Sequence, residues 1–459
     1  MMNDWNGKRV LILGAARQGL ALARWLSSHG AQVTLSDMRG EDQLRAAREA
    51  LADYPITWVL GGHPLELLDA IDMLCLSGGV PLTLPIVSEA SKRGIPLSND
   101  SQIFMEVVPC KTIGVTGSSG KTTTTTLVGR MARNAYGRKA HVGGNIGDPL
   151  INYVDTMQAD DIAVLEFSSF QLEQMTISPN IAAILNITPN HLDRHGTMEA
   201  YTAAKKRILE FQGREDVAVL GRHNKVAWDL RKDVRGKLYT FCLGELEEGL
   251  NGAYLHEGLL HLRDGETYIP LLLREKILLR GNHNLLNVLA AFAIGHAAGF
   301  PLDAMLDAVE GFRGAPHRLE LVRELHGVRW YNDSIATAPE RTLAGIRSFE
   351  EPIVLLLGGR DKNLPWEELI QFVNERVDHV VLFGEAAEKI ERTLESLGLR
   401  EKRFSLARTG GLQEAVIKAA EVAESGDVVL LSPGGTSFDE FKDFEERGER
   451  FREWVQELS

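Results

Sequence analysis

Lys111–Thr126 reads KTIGVTGSSGKTTTTT, an apolar strand that runs into a glycine-rich turn and then into the threonine-rich start of a helix. Gly117 and Gly120 carry no Cβ, so the backbone through Ser118 and Ser119 can bend tightly and aim several N–H groups at one anion. The N-terminus of the following helix, with Thr123 in its first turn, adds a partial positive charge. The pattern is that of a phosphate-binding loop: Lys121 is placed to reach the β- and γ-phosphates of a nucleotide, and Thr122 to hold Mg2+ through its hydroxyl. The usual spacing G-x-x-x-x-G-K-[ST] puts a glycine at position 115, where this chain has Val115 and carries Gly114 one place early. The loop is therefore a shortened T-G-x-x-G-K-T variant. An ordinary structural turn gives no reason for a Lys-Thr pair at a helix start.

With 459 residues the chain is too long for one hydrophobic core and divides into roughly two to four domains. A net charge of −13 argues against nucleic acid or an anionic membrane as partner, since both require an exposed basic surface. Anionic small molecules must then meet locally placed Lys and Arg. Cys75, Cys110 and Cys242 are widely spaced and form no C-x-x-C, so neither a disulfide framework nor a zinc site is indicated, and a reducing cytoplasm is expected. Arg17 and Arg24 interrupt the first apolar segment, which excludes a signal-peptide core, and the longest apolar runs, such as IVLLL at 353–357, are strand-sized. No membrane insertion is expected.

Outward from the loop toward the N-terminus, RVLIL at 9–13, a helix to about His29 and QVTLS running to Asp37 form a β-α-β unit. Its turn carries Gly14 and Gly19 but Ala16 in the middle position of G-x-G-x-x-G, so a dinucleotide fingerprint is incomplete. Asp37 closes the second strand as an acceptor for a ribose or a base. A further strand in 71–79 ends at Gly78-Gly79, and these strand ends converge on one crevice.

Outward toward the C-terminus, HVGGNIG centres on Asn145, and DIAVLEFSS ends a buried strand at Glu166, where a phosphate-loop enzyme holds its metal. IAAILNIT leads to PNHLDRHGT, which offers His191, Asp193 and His195; spacing alone does not choose between the histidines. The helix over 197–212 bears Lys205, Lys206 and Arg207, a run that ordinarily marks a solvated face. After a β-α-β reading to about Phe241 come a glycine-rich hairpin, KILLR as a strand, and a helix from 281 with Asn284 and Asn287 on one face. From His317 and Arg318 a last α/β segment follows, with IVLLLGG, HVVLFGE and DVVLLSPGG as strands and FKDFEERGERFREWV as the final helix. The fold class is α/β in three domains, a Rossmann-like domain at 1–100, a central phosphate-loop ATPase domain at 101–314 and a second Rossmann-like domain at 315–459.

TGSSGKT, GGNIG, LEFSSFQLE, NITPNHLDRHG, AAKKRI, GNHN, PHRLE, YNDS and LLSPGGTSFDEFKDFEERG stand in the order in which they occur in the ATP-dependent Mur ligases of bacterial cell-wall synthesis, and the chain resembles that family from end to end. The resemblance implies an enzyme, most like the member that adds D-glutamate to UDP-MurNAc-L-alanine through an acyl phosphate; the folate-adding relatives resemble only the later two domains. It implies ATP and two Mg2+ ions, one near Thr122 and Glu166 and one near His191 and Lys205, with Lys205 carbamylated so that it presents an anion. It picks His191 over His195. Carried over likewise, Gly117, Ser118, Ser119, Gly120, Lys121, Thr122, Thr123, Asn284, Asn287, Arg318 and Asp333 hold ATP. Asp37, Gly78, Asn145 and Ser168 meet the UDP-linked substrate, and Lys362, Ser437 and Phe444 surround the glutamate. The implied protein is a cytoplasmic monomer whose partners are UDP-MurNAc-L-alanine, glutamate and ATP. One departure stands out: Ile335 occupies a position where the family pattern has lysine, and Arg341, Arg360 and Lys362 are the cations available to replace it.

Overall fold

The computed structural model describes residues 4–362, 364–397 and 403–459. The chain forms two compact units, the first made of Met1–Leu278 with Asn282–Gly311 and the second of Leu279–Gly281 with Phe312–Ser459.

The first unit holds two sheets. One contains β1 (Arg9–Leu13), β2 (Gln32–Asp37), β3 (Ile56–Leu60), β4 (Met73–Leu76) and β5 (Leu97–Ser98), in the order β3-β2-β1-β4-β5 and parallel throughout. Such strands are covered on both faces and so read as continuous apolar runs, as RVLIL does. The order reverses at β1, so the crevice between the carboxyl ends of β1 and β4 is a switch point where ligands bind in open α/β sheets. Gly14 has φ +94°, and a Cβ on Gly19 would lie 2.0 Å from the Gly14 carbonyl oxygen, so the broken fingerprint still supplies a tight turn and close helix-strand packing.

The other sheet comprises β6 (Lys111–Thr116), β7 (Ala140–Gly144), β8 (Ile162–Glu166), β9 (Ile181–Ile184), β10 (Val217–Gly221), β11 (Lys237–Cys242), β12 (Asn251–His256), β13 (Leu259–Asp264) and β14 (Thr267–Leu273), ordered β14-β13-β12-β11-β10-β9-β6-β8-β7. β6 lies between β8 and β9, so the loops after those strands flank the loop after β6. The helix Asn282–Ala298 is apolar nearly all round, with Val288 to Gly295 buried, because it packs as an inner layer against that sheet and the helix Lys121–Tyr136. Two successive hairpins, β12-β13 and β13-β14, stand where one was expected. KILLR is not a strand: Arg274–Lys276 is a 3-10 turn and the residues after it are irregular.

The second unit has a sheet of β15 (Glu320–Leu325), β16 (Val328–Asn332), β17 (Ile353–Gly358), β18 (His379–Phe383), β19 (Ser405–Arg408) and β20 (Val428–Gly434), in the order β15-β16-β20-β17-β18-β19 with only β15 antiparallel. Its two faces carry separate cores, one around Leu355, Trp366 and Ile390 and one around Trp330, Leu356 and Phe451.

Candidate active site

Gly120 has φ +81° and a Cβ there would fall 2.2 Å from Asn287 Oδ1, so glycine is required both by the backbone and by the amide packed on it. Asn287 Nδ2 in turn donates to Asn284 Oδ1 at 3.2 Å, which confirms the shared face of the two amides. Lys121 Nζ donates to the Gly117 carbonyl at 3.1 Å. Thr122 Oγ1 donates to Glu166 Oε2 at 2.9 Å, while Asn145 Nδ2 donates to Glu166 Oε1 at 2.8 Å. The carboxylate at the end of β8 is thus oriented from two sides, and Asn145, expected at the UDP-linked substrate, supports Glu166 directly.

The loop is braced differently from the sequence expectation. The N–H groups of Ser118 and Ser119 donate to the carbonyl (2.9 Å) and side-chain oxygen (3.0 Å) of Asn186, so they face this neighbour and not a common anion point. Ser118 Oγ is 2.9 Å from the Thr188 carbonyl and 3.0 Å from Tyr201 Oη. The donors left for an anion are the N–H groups of the helix's first turn, Thr123 among them, which a helix cannot satisfy internally. Asn186 and Tyr201 were missed: the only sequence signal was an amide at the end of a buried strand, and the pairing of β9 with β6 that brings it to the loop is non-local.

Lys205 is 1% exposed, although it lies in the Lys-Lys-Arg run. Its Nζ donates to the Gly117 carbonyl at 2.9 Å and lies 4.8 Å from the Tyr201 ring centroid. Burial, reinforced by the Lys121 ammonium and opposed by Glu166, pushes its amine down to about 6, which favours the uncharged form. Ser168 caps the short helix Ser169–Leu172 and donates to Gln171 Oε1 at 2.9 Å. His195 Nε2 lies 2.9 Å from Ser169 Oγ, with its ring stacked on Phe170 at 5.0 Å, whereas His191 is exposed at a left-handed backbone position, φ 53°, with Phe170 at 5.3 Å. The side chain of Asp193 lies outside the described residues.

At the carboxyl edge of the first sheet, Asp37 accepts from the Ala15 N–H at 2.7 Å and from Arg39 through its N–H and side chain at 2.8 to 3.0 Å. Burial works against its charge, but these donors win and hold the carboxyl at about 2. Asp37 therefore shapes the β1 turn. The Gly78 N–H donates to Gln18 Oε1 at 3.2 Å.

In the second unit, Asp333 is buried, with Oδ2 accepting from Ser432 Oγ at 2.9 Å and Oδ1 from the Leu319 N–H at 3.3 Å. Burial outweighs the Ser432 hydrogen bond and the Arg318 and Arg341 charges and pushes it up to about 7. Arg447, fully buried, donates to the Ser334 hydroxyl (3.0 Å) and carbonyl (2.8 Å) and to the carbonyls of Gly435 and Thr436, and Ser334 Oγ donates to the Phe444 carbonyl at 2.8 Å. That network joins the Asp333 loop, the buried Ser437 loop and the start of the helix Phe444–Glu457. Lys362 Nζ donates to Thr337 Oγ1 at 3.4 Å, and burial with Arg341 and Arg447 nearby lowers its pKa. Of the cations considered for Ile335, Arg341 Nη1 donates to the Ile335 carbonyl at 3.3 Å, while Arg360 is engaged by Glu385 at 2.8 and 2.9 Å.

A Mur ligase MurD-like N-terminal domain model matches residues 8–99, the Mur ligase middle domain 115–295, and the Mur ligase glutamate ligase domain 317–435. The UDP-N-acetylmuramoylalanine--D-glutamate ligase of Caldanaerobacter subterraneus subsp. tengcongensis is 40% identical over 452 residues, 98% of each chain. That of Koribacter versatilis is 40% identical over 457 residues, 99% of each. Among solved structures, UDP-N-acetylmuramate-alanine ligase MurC of Thermotoga maritima matches with TM-score 0.58 and 22% identity over 98% of this chain and 99% of that one. MurF of Acinetobacter baumannii matches with TM-score 0.56 and 18% identity over 97% and 94%.

Proposed function

The chain belongs to the Mur ligase family, and from that premise we propose that it joins D-glutamate to UDP-N-acetylmuramoyl-L-alanine at the expense of ATP, in peptidoglycan precursor synthesis. In the reaction the alanyl carboxylate takes the γ-phosphoryl group of ATP to give an acyl phosphate and ADP. The glutamate amine then attacks the acyl carbon, expelling phosphate and losing a proton. The observation that carries the reading is the contact of Thr122 and Glu166 beside Lys121 and the buried amine of Lys205, on a chain 40% identical over its whole length to such ligases.

Thr122 and Glu166 offer hard oxygen donors in contact, and among the described residues there is no cluster of three or more His, Cys, Asp or Glu able to hold a metal. That donor set suits Mg2+, which keeps several waters and substrate phosphates as ligands and so needs few from the protein. Bound there it would offset phosphate charge. Lys121 leaves its carbonyl for the phosphates, and Gly120 and Asn287 shape the cradle beneath them. Lys205, neutral and buried, is suited to add CO2 at Nζ with loss of a proton, and the resulting carbamate with His191 would hold a second Mg2+. Asn145 and Ser168 face the muramoyl group, and Asp37 and Gly78 the uridine nucleotide. Arg318 and Asp333 are assigned to ATP, and Lys362, Ser437 and Phe444 to glutamate, on the motif match. Domain limits at 100/101 and 314/315, a cytoplasmic location and action as a monomer are parts of the same reading.

The test is phosphate release with ATP, UDP-MurNAc-L-alanine and D-glutamate, each omitted in turn. Release is expected only with all three, and release that ignores the UDP-linked substrate or glutamate rejects the proposal. Lys121→Ala should abolish turnover with the fold intact, because a half-buried ammonium that donates to the Gly117 carbonyl adds little to packing but neutralises charge that grows in the transition state; near-normal turnover at saturating ATP would exclude its role.

A further inference from the structure

Arg194, in the one-turn helix Leu192–His195 of the segment that follows β9, lies over the Phe170 ring, 4.5 Å from its centroid, beside the stacked His195. Its two terminal nitrogens point at the carbonyls of Gly79 and Val80, each at 3.4 Å, in the turn that follows β4. The guanidinium therefore stands where the carboxyl edge of the first sheet meets the loop bearing His191, both within the first unit. It is exposed, and among the described side chains it has no carboxylate in ion-pair contact; Glu173 acts on it only at longer range. Arg39, at the neighbouring strand end, is by contrast bound by the Asp37 carboxylate.

We propose that Arg194 binds an oxyanion of the UDP-linked substrate and fixes it above the Gly78–Val80 turn. The proposal rests on the reading that this substrate occupies the crevice. In a chain of net charge −13 a polyanion has to find a local cation, and this one is held in position without being neutralised. An aromatic face fixes the planar fork and lowers the entropy lost on binding. Contacts of 3.4 Å lie at the long end of the hydrogen-bond range, and a guanidinium has five N–H donors, so donors remain for an anion. The oxyanion belongs either to the diphosphate or to the alanyl carboxylate; both present the same paired-oxygen chemistry to the fork.

Isothermal titration of the full-length protein with UDP-MurNAc-L-alanine and, separately, with UDP tests this. Arg194→Ala is expected to weaken UDP-MurNAc-L-alanine binding tenfold or more, to raise KM more than it lowers kcat, and to leave ATP affinity within twofold. Arg194→Lys should recover only part of the loss, and Phe170→Leu, which keeps the charge but removes its platform, should weaken binding a few-fold. Equal loss for UDP assigns the diphosphate; a loss confined to the complete substrate assigns the carboxylate. If the residue only ties two turns together, the alanine variant melts earlier yet binds substrate within twofold of the parent, and that result overturns the proposal. Parent protein that binds neither ligand would instead overturn the reading of the site, and this assignment with it.

Discussion

A lysine amine with a pKa of about 6 inside a protein is unusual enough to demand a use, since removing its charge also removes most reasons to keep a lysine. The carbamylation proposed above would restore a charge, of the opposite sign. Lys205→Ala is then expected to lose about a hundredfold or more in turnover and to recover partly with a short carboxylic acid that fills the vacated space. Full activity of the alanine variant in low bicarbonate ends the idea. Ile335 poses the complementary question in the second unit, where the missing cation is to be sought in Arg341 or Lys362, because Arg360 is held by Glu385. We expect Lys362→Ala to raise the glutamate KM about tenfold and the ATP KM little, and Arg341→Ala the reverse, as befits loss of one charge-assisted hydrogen bond each. Loss of ATP affinity in the Lys362 variant would exchange the two assignments.

Strand ends and helix starts do most of the positioning. Gly120 is the tightest case: alanine there faces both a left-handed backbone and the Asn287 amide at 2.2 Å. Gly120→Ala should cost about 1–3 kcal/mol of stability and weaken binding of a fluorescent ATP analogue tenfold or more, and unchanged nucleotide affinity would show that the cradle tolerates a shift. The strands that read clearly, such as IVLLL and IAVLE, are those buried on both faces, where burial alone produces the apolar run. KILLR misled for a related reason. Ile277 and Leu279 are buried and Leu278 is exposed, so the segment alternates as a half-buried strand does, yet alternation reports one-sided burial and not the presence of a pairing partner. The spacing of Asn284 and Asn287 gave their common face because three residues on a helix is a local relation. Asn186 and Tyr201 were illegible because they reach the phosphate loop only through the order of strands in the sheet, whereas Lys205 was picked out by the motif match alone, since a polar run says nothing about which member turns inward.

Each unit has its own cores and, among its buried carboxyls, one aspartate that burial pushes well up, which makes the whole molecule's response to pH divisible. In the first unit Asp100 opens the helix Asp100–Val107 with Oδ1 lacking a hydrogen-bond partner, and burial pushes it up to about 6; in the second, burial pushes Asp333 up to about 7. Both values lie above that of an unfolded aspartate, so the folded state holds the proton more tightly than the unfolded one. The stability each contributes is full below about pH 4 and is lost as pH rises, by about 6 for Asp100 and about 7 for Asp333. Replacing a carboxyl by an amide of the same shape removes that loss. Asp100→Asn should therefore unfold at a higher temperature than the parent at pH 8, by a few degrees for a shift worth up to about 3 kcal/mol, with the difference vanishing near pH 4. Two units with separate cores also predict a calorimetric enthalpy larger than the van't Hoff value, since multi-domain chains depart from two-state unfolding. In that resolved trace Asp100→Asn should move one transition and Asp333→Asn the other. A single transition moved equally by both variants would mean that the two units unfold as one; an Asp100→Asn effect that persists at pH 4 would mean that the gain comes from packing or hydrogen bonding and not from the proton.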